Sequence, residues 1–191
     1  MFHANTQTVI EDWNTRRGAR SAPERTDISP AAFRHLLPQL FILGRDETGA
    51  EPFRLAGGLL VDLHARDLRG VCFFSLWSPA DRAAVREALE TARRSLAPVV
   101  LEASGWTAAG DSARLEIVLA PLVGPTGELD RVLGLYQPTS SVRRLMGAAI
   151  VALSLGEVRV AEPDSAAMPL PLPPRDRRHL RLAAFNGERV E

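Results

Sequence analysis

The chain has 191 residues, 46% of them hydrophobic and 24% charged, and its 23 basic and 23 acidic side chains cancel. That length suits one domain of about 100–200 residues, large enough to bury roughly 70% of its unfolded surface without disulfides or a structural metal. The apolar share excludes a disordered chain, and neutrality argues against a general binder of nucleic acid or anionic membrane, which carries a basic excess.

Every basic residue is arginine, since the sequence has no lysine, so arginine is weak evidence of anion recognition here. The single cysteine, Cys72, excludes an intrachain disulfide framework and any multi-cysteine metal site. The N-terminus lacks the basic and apolar regions of a secretory signal. The most apolar run, Leu145 to Leu155, is about half the roughly 20 residues of a membrane-spanning helix. A cytoplasmic chain with no metal, no cofactor, no nucleic acid and no membrane insertion is the expectation.

Val9, Ile10 and Trp13 stand at near-helical spacing ahead of Arg16 and Arg17, which suit a helix C-terminus. Gly18 to Ile28 is polar and reads as a linker. Ser29-Pro30 has the form of an N-cap and first helical residue, opening a short helix with Phe33, Leu36 and Leu37 that Pro38 ends. Leu40–Gly44 and Phe53–Ala56 read as strands joined by a turn at Glu47-Thr48-Gly49 into a hairpin. Leu59 to Leu68 predicts one or two helical turns, stopped by Gly70.

Ser78-Pro79 opens the clearest helix, with Val85, Leu89, Ala92 and Leu96 spaced four, three and four residues apart. Three strands follow, at Val99–Trp106, across Ala113, Leu115, Ile117 and Leu119, and at Val132–Gln137. The second alternates apolar and polar residues as a half-buried strand does. Periodicity leaves Ser140 to Leu155 open between helix and strand. Glu162 to Pro174 is Pro-rich, an extended linker. Arg175, Arg177, Arg178 and Arg181 form a basic cluster, and Leu180 to Phe185 reads as a last short strand or docking peptide. The divisions expected are 1–28 (helix and linker), 29–138 (core domain), 139–161 (extension of the core) and 162–191 (linker and basic tail). Strands segregated from helices predict an α+β fold, a five-stranded antiparallel sheet with helices on one face and an N-terminal helical extension.

That order, with Trp13 in an opening helix, Pro23 to Pro30 (PERTDISP), Leu37-Pro38, Phe53 to Gly57 (FRLAG), Ala65 to Gly70 (ARDLRG) and Ala120-Pro121-Leu122, resembles a PAS domain. More narrowly it resembles the stand-alone bacterial PAS family that begins with a Trp-containing helix. The resemblance spans roughly Val9 to Pro138. It departs at His64-Ala65, where the family usually has a Phe-Gly pair before the acidic residue matching Asp67. It implies a cup between sheet and helices, a sensing or interaction role, and no catalytic residues.

No G-x-S-x-G elbow, P-loop or sequence-local metal motif occurs. Cys72, in the apolar run VCFFSLW, reads as an inert core residue. It lies after the helical wall that would hold a flavin-reactive cysteine. Under the resemblance the cup candidates are Phe53, Leu55, Leu60, Leu63, His64, Phe74, Trp77, Leu101, Ile117, Leu119 and Tyr136, with a filled core as the plainer account. Tyr136 and the Trp77 N–H are its polar handles. Arg54 is expected to dock the N-terminal segment through Asp27 or Asp67. The Val9, Ile10 and Trp13 stripe packs either on its own sheet or against a second subunit, so these three are the candidate interface of a homodimer. The expected function is a non-enzymatic sensory or regulatory module acting through protein–protein contacts with an unidentified partner. One version takes a small ligand, and its alternative is a ligand-free dimerisation scaffold. An enzyme on a related α+β cone ranks third.

Overall fold

A computed structural model describes residues 1–145 and 147–161. It contains six strands, β1 (Leu40–Gly44), β2 (Phe53–Ala56), β3 (Val99–Thr107), β4 (Ser112–Leu122), β5 (Arg131–Pro138) and β6 (Ile150–Val160), and three α-helices, α1 (Ala4–Arg17), α2 (Gly58–His64) and α3 (Arg82–Ser95). The strands form one antiparallel sheet in the order β2-β1-β5-β4-β3-β6. The five expected strands are all present. The sixth begins inside the segment whose periodicity was ambiguous, at Ile150, and runs past its end to Val160. The Pro-rich stretch, the Arg175–Arg181 cluster and Leu180 to Phe185 lie outside the described residues.

Helices cover both faces of this sheet, not one. On the concave face, α2, the 3-10 turn Phe73–Leu76 and α3 form a wall. Their apolar side chains meet alternate residues of the strands, such as Leu101, Ile117 and Leu119. On the convex face, α1 and the segment through Leu36 bury Val9, Ile10, Trp13, Ile28 and Phe33 against Val118, Ala120, Leu133 and Leu135. Double cover explains why β4 is buried continuously from Leu115 to Leu122. A strand sandwiched on both sides loses the polar alternation of a half-buried one. The expected alternation survives only over Ser112–Arg114.

The local starts differ from the sequence reading. Ser29 makes no capping bond, and Pro30–Phe33 is a 3-10 turn. The N-cap of α3 is Asp81, three residues past Ser78. The Ser78 hydroxyl donates to Asp81 Oδ2 at 2.7 Å, and the Leu155 amide of β6 donates to the same oxygen at 3.1 Å. The carboxylate is thus committed to joining helix and strand.

Candidate functional site

Ten of the eleven cup candidates are buried together on the concave face. Phe53, Leu60, Leu63, Phe74, Trp77, Leu101, Ile117, Leu119 and Tyr136 belong to one apolar cluster, and His64, 4% exposed, adjoins it. The centre is aromatic. Phe73 lies 5.8 Å from Phe41, 5.9 Å from Phe53, 5.9 Å from Phe74 and 5.9 Å from Trp77, centroid to centroid. These are contact separations for aromatic rings, so the middle of the cup is occupied by side chains.

Leu55 is the exception, at 48% exposed. The β1–β2 register shifts between Ile42 and Leu43, pairing Leu43 with Phe53 but Ile42 with Leu55. This bulge inserts Arg54 as an extra residue. Leu55 therefore shares the convex side with Ile42, because a one-residue slip reverses the face. Arg54 docks neither Asp27 nor Asp67. Asp27 pairs with Arg20 at 2.7 Å, and Asp67 Oδ1 accepts from the Arg69 amide at 2.9 Å. The segment around Pro23 to Arg25 is held to the sheet by main-chain ties instead. The Arg25 amide donates to Val123 O at 3.0 Å, and the Val123 amide donates to Pro23 O at 2.9 Å.

Val9, Ile10 and Trp13 take the intrachain alternative, at 0%, 4% and 0% exposure. The Trp13 indole N–H donates to Pro121 O at 2.8 Å. Their own sheet covers the stripe, leaving no surface there for a second subunit.

The polar heart of the cup is a buried pair. His64 Nδ1 lies 3.2 Å from Ile150 O, and its Nε2 lies 3.3 Å from Tyr136 Oη. One arrangement of protons satisfies both contacts. Nδ1–H donates to the carbonyl, and the Tyr136 hydroxyl donates to neutral Nε2. Burial lowers the His64 pKa to about 4, against a smaller opposing effect of the Ile150 carbonyl. Burial also raises the Tyr136 pKa. Both groups are therefore uncharged at neutral pH. The second handle, Trp77 Nε1, is buried without a hydrogen-bond partner among the described residues.

Sequence reading missed a buried ionic link. Glu51, 0% exposed, holds Arg93 at 2.8 Å and Arg45 at 3.1 Å. Arg93 Nε also donates to Leu129 O at 3.0 Å. Arg93 stands four residues after Leu89, on the apolar stripe of α3, and that spacing was the available signal. Nothing in the sequence around Glu51 marks it. Cys72 is half-buried. Among the described residues, no group of three His, Cys, Asp or Glu side chains is placed to hold a metal ion, and no helix is long and apolar enough to cross a membrane. A concavity of about 340 Å³ opens on the convex side, between Glu102, Ser104, Arg114, Glu116, Thr139 and Gly156, away from the cup.

A family model described as PAS domain matches residues 1–137. No curated protein matches the chain. Among solved structures, a light-oxygen-voltage domain studied with a flavin analogue is 16% identical, covering 58% of this chain and 84% of that one with a TM-score of 0.46. The dark structure of the Aureochrome1 LOV domain of a blue-light photoreceptor is 14% identical, covering 61% and 87% with a TM-score of 0.45. A Rhodobacter sphaeroides LOV protein is 14% identical, covering 62% and 73% with a TM-score of 0.43. These similarities are too distant to carry any of those proteins' properties across. The family model covers α1, the cup and β1 to β5 together, and on that match the chain belongs to the PAS domain family.

Proposed function

We propose that this PAS domain is a non-enzymatic regulatory module that works through protein–protein contact, with its cup filled by its own side chains. One observation carries the reading, the aromatic cluster centred on Phe73. A small-molecule site occupies about 300–1,000 Å³, and here Phe41, Phe53, Phe73, Phe74 and Trp77, none more than 4% exposed, stand in that space. The non-enzymatic part is supported by the state of the two titratable groups buried in the cup. His64 and Tyr136 are held neutral, bonded to each other and sealed from solvent, which leaves them no route to a substrate.

A second reading, a small amphipathic ligand, rests on the Trp77 N–H, which has no partner among the described residues, whereas a buried donor ordinarily finds an acceptor. Native mass spectrometry of the full chain, purified without denaturation, separates the two. The filled-cup reading expects the bare mass of 20.8 kDa. A stoichiometric adduct released on denaturation, and lost in Trp77→Phe, favours the ligand.

A further inference from the structure

The two edges of the sheet are treated differently. The β2 edge is short and covered, with the Phe53 amide donating to Val71 O at 3.0 Å and the Gly70 amide to Phe53 O at 2.9 Å. The first half of β6 is covered too. Ile150 O faces His64 Nδ1, Leu153 O accepts from the Ser78 amide, and the Leu155 amide meets Asp81. Beyond Leu155 the cover stops.

The register shows which groups lie on that edge. Leu153 and Leu155 turn their backbone polar groups outward, so Ser154 and its partner Ser104 bond to each other. Val100 then bonds to Arg159, and the Ala161 amide reaches Pro98 O at 2.8 Å. After the bulge between Leu101 and Ala103, the outward backbone groups are therefore those of Val158 and Val160. These have no backbone partner among the described residues, and both side chains are 39% exposed. No proline occurs in β6, and the edge is marked only by the charges of Glu157 and Arg159 and by the bulge opposite Glu102.

We propose that this open end of β6 pairs with β6 of a second copy of the chain, antiparallel, about a two-fold axis at Val158. The charge pattern selects that partner. In such a pair Val158 exchanges both backbone bonds with its counterpart, and Glu157 of each copy stands opposite Arg159 of the other. Glu157, 63% exposed, has its carboxylate 3.8 Å from its own Arg159 Nε, a loose exposed pair that can be exchanged for the partner's, whereas Arg159, 27% exposed, is also held by Glu102 and stacked over Phe2 at 4.7 Å. The strand is thus self-complementary, as an isologous contact must be, with acid facing base on one side and valines on the other. Ser78 and Asp81 limit the pairing to about five residues a side. That area falls short of the roughly 1,200–2,000 Å² of a standard interface, so association is reversible and concentration-dependent. The inference holds whether or not the cup carries a ligand.

The test follows the full chain by sedimentation and amide hydrogen exchange from about 1 μM to about 1 mM. The expected result is a mass rising from 20.8 kDa towards twice that, with protection of the Val158 and Val160 amides rising in step. Glu157→Arg and Val158→Pro, the latter deleting an outward N–H while sparing the β3 ladder, both return the monomer with an unchanged melting temperature. A constant 20.8 kDa overturns the proposal. Concentration-independent protection of the two amides overturns it as well, because another segment of the same chain then covers the edge. A dimer that survives either variant places the contact elsewhere.

Discussion

The two faces of the sheet are closed by different means. The concave wall comes from one continuous stretch, Gly58 to Ser95, and closes by packing large apolar side chains around a single polar pair. The convex face is closed by the first forty residues, returning from the far end of the sequence and tied at separated points. These ties are the Trp13 indole on Pro121 O, the Pro23–Arg25 exchange with Val123, Asn5 on Gln137, and the His3 amide on the Glu116 carboxylate. An apolar wall with many mutual contacts resists the loss of any one bond but not the loss of volume. The strap buries an apolar stripe of its own but adds separated hydrogen bonds to it, and leaving a buried carbonyl unpaired there forfeits its whole desolvation cost.

Four measurements sharpen that contrast, the largest effect first. Phe73→Ala removes the ring that touches Phe41, Phe53, Phe74 and Trp77. It is expected to cost about 3–5 kcal/mol in chemical denaturation, and a loss under about 1 kcal/mol would mean the cup is not filled as described. The second concerns acid. His64 is held neutral with its pKa lowered from 6.5 to about 4, so between those values the unfolded chain binds the extra proton. Stability is then full above about pH 6.5 and falls as the pH drops towards 4, by roughly 3 kcal/mol in all. In His64→Gln this component of the pH slope should vanish.

On the convex side, Trp13→Phe keeps an aromatic ring, though a smaller one, and removes the bond to Pro121 O. A loss of about 1–3 kcal/mol is expected, with faster amide exchange in α1 than in α3. Equal acceleration in both helices would contradict a separately tied strap. The smallest effect is a gain. Ala65 closes α2 at φ +48°, a left-handed conformation that costs a non-glycine residue about 1–2 kcal/mol. Glycine, the family's residue in the resemblance drawn from the sequence, relieves that strain while adding freedom to the unfolded chain. Ala65→Gly should therefore raise stability by up to about 1 kcal/mol, and a decrease would show that the Ala65 methyl packs favourably.

Much of the cup was legible because its residues announce themselves by type and spacing. Val85, Leu89 and Ala92 mark the buried stripe of α3, and Leu115, Ile117 and Leu119 mark the inward side of β4. Leu55 was misplaced because a bulge is set by the pairing of two strands and leaves no trace in the alternation of one. His64 was recognisable as a departure from an apolar pattern, but its partners lie 72 and 86 residues away. Glu51 was invisible for the same reason, since its partner Arg93 lies 42 residues further on.

By itself the sequence determined the identity and order of the first five strands, the helix stripes and the family. These depend on periodicities of two and 3.6 that arise within a segment. Tertiary structure alone decided the sixth strand, the face on which the Trp13 stripe is buried, and which rings meet at Phe73. Those outcomes depend on which distant surfaces meet. Residues 150–155 are apolar enough for helix or strand, and only the free edge of β3 made the strand the better use of their backbone groups.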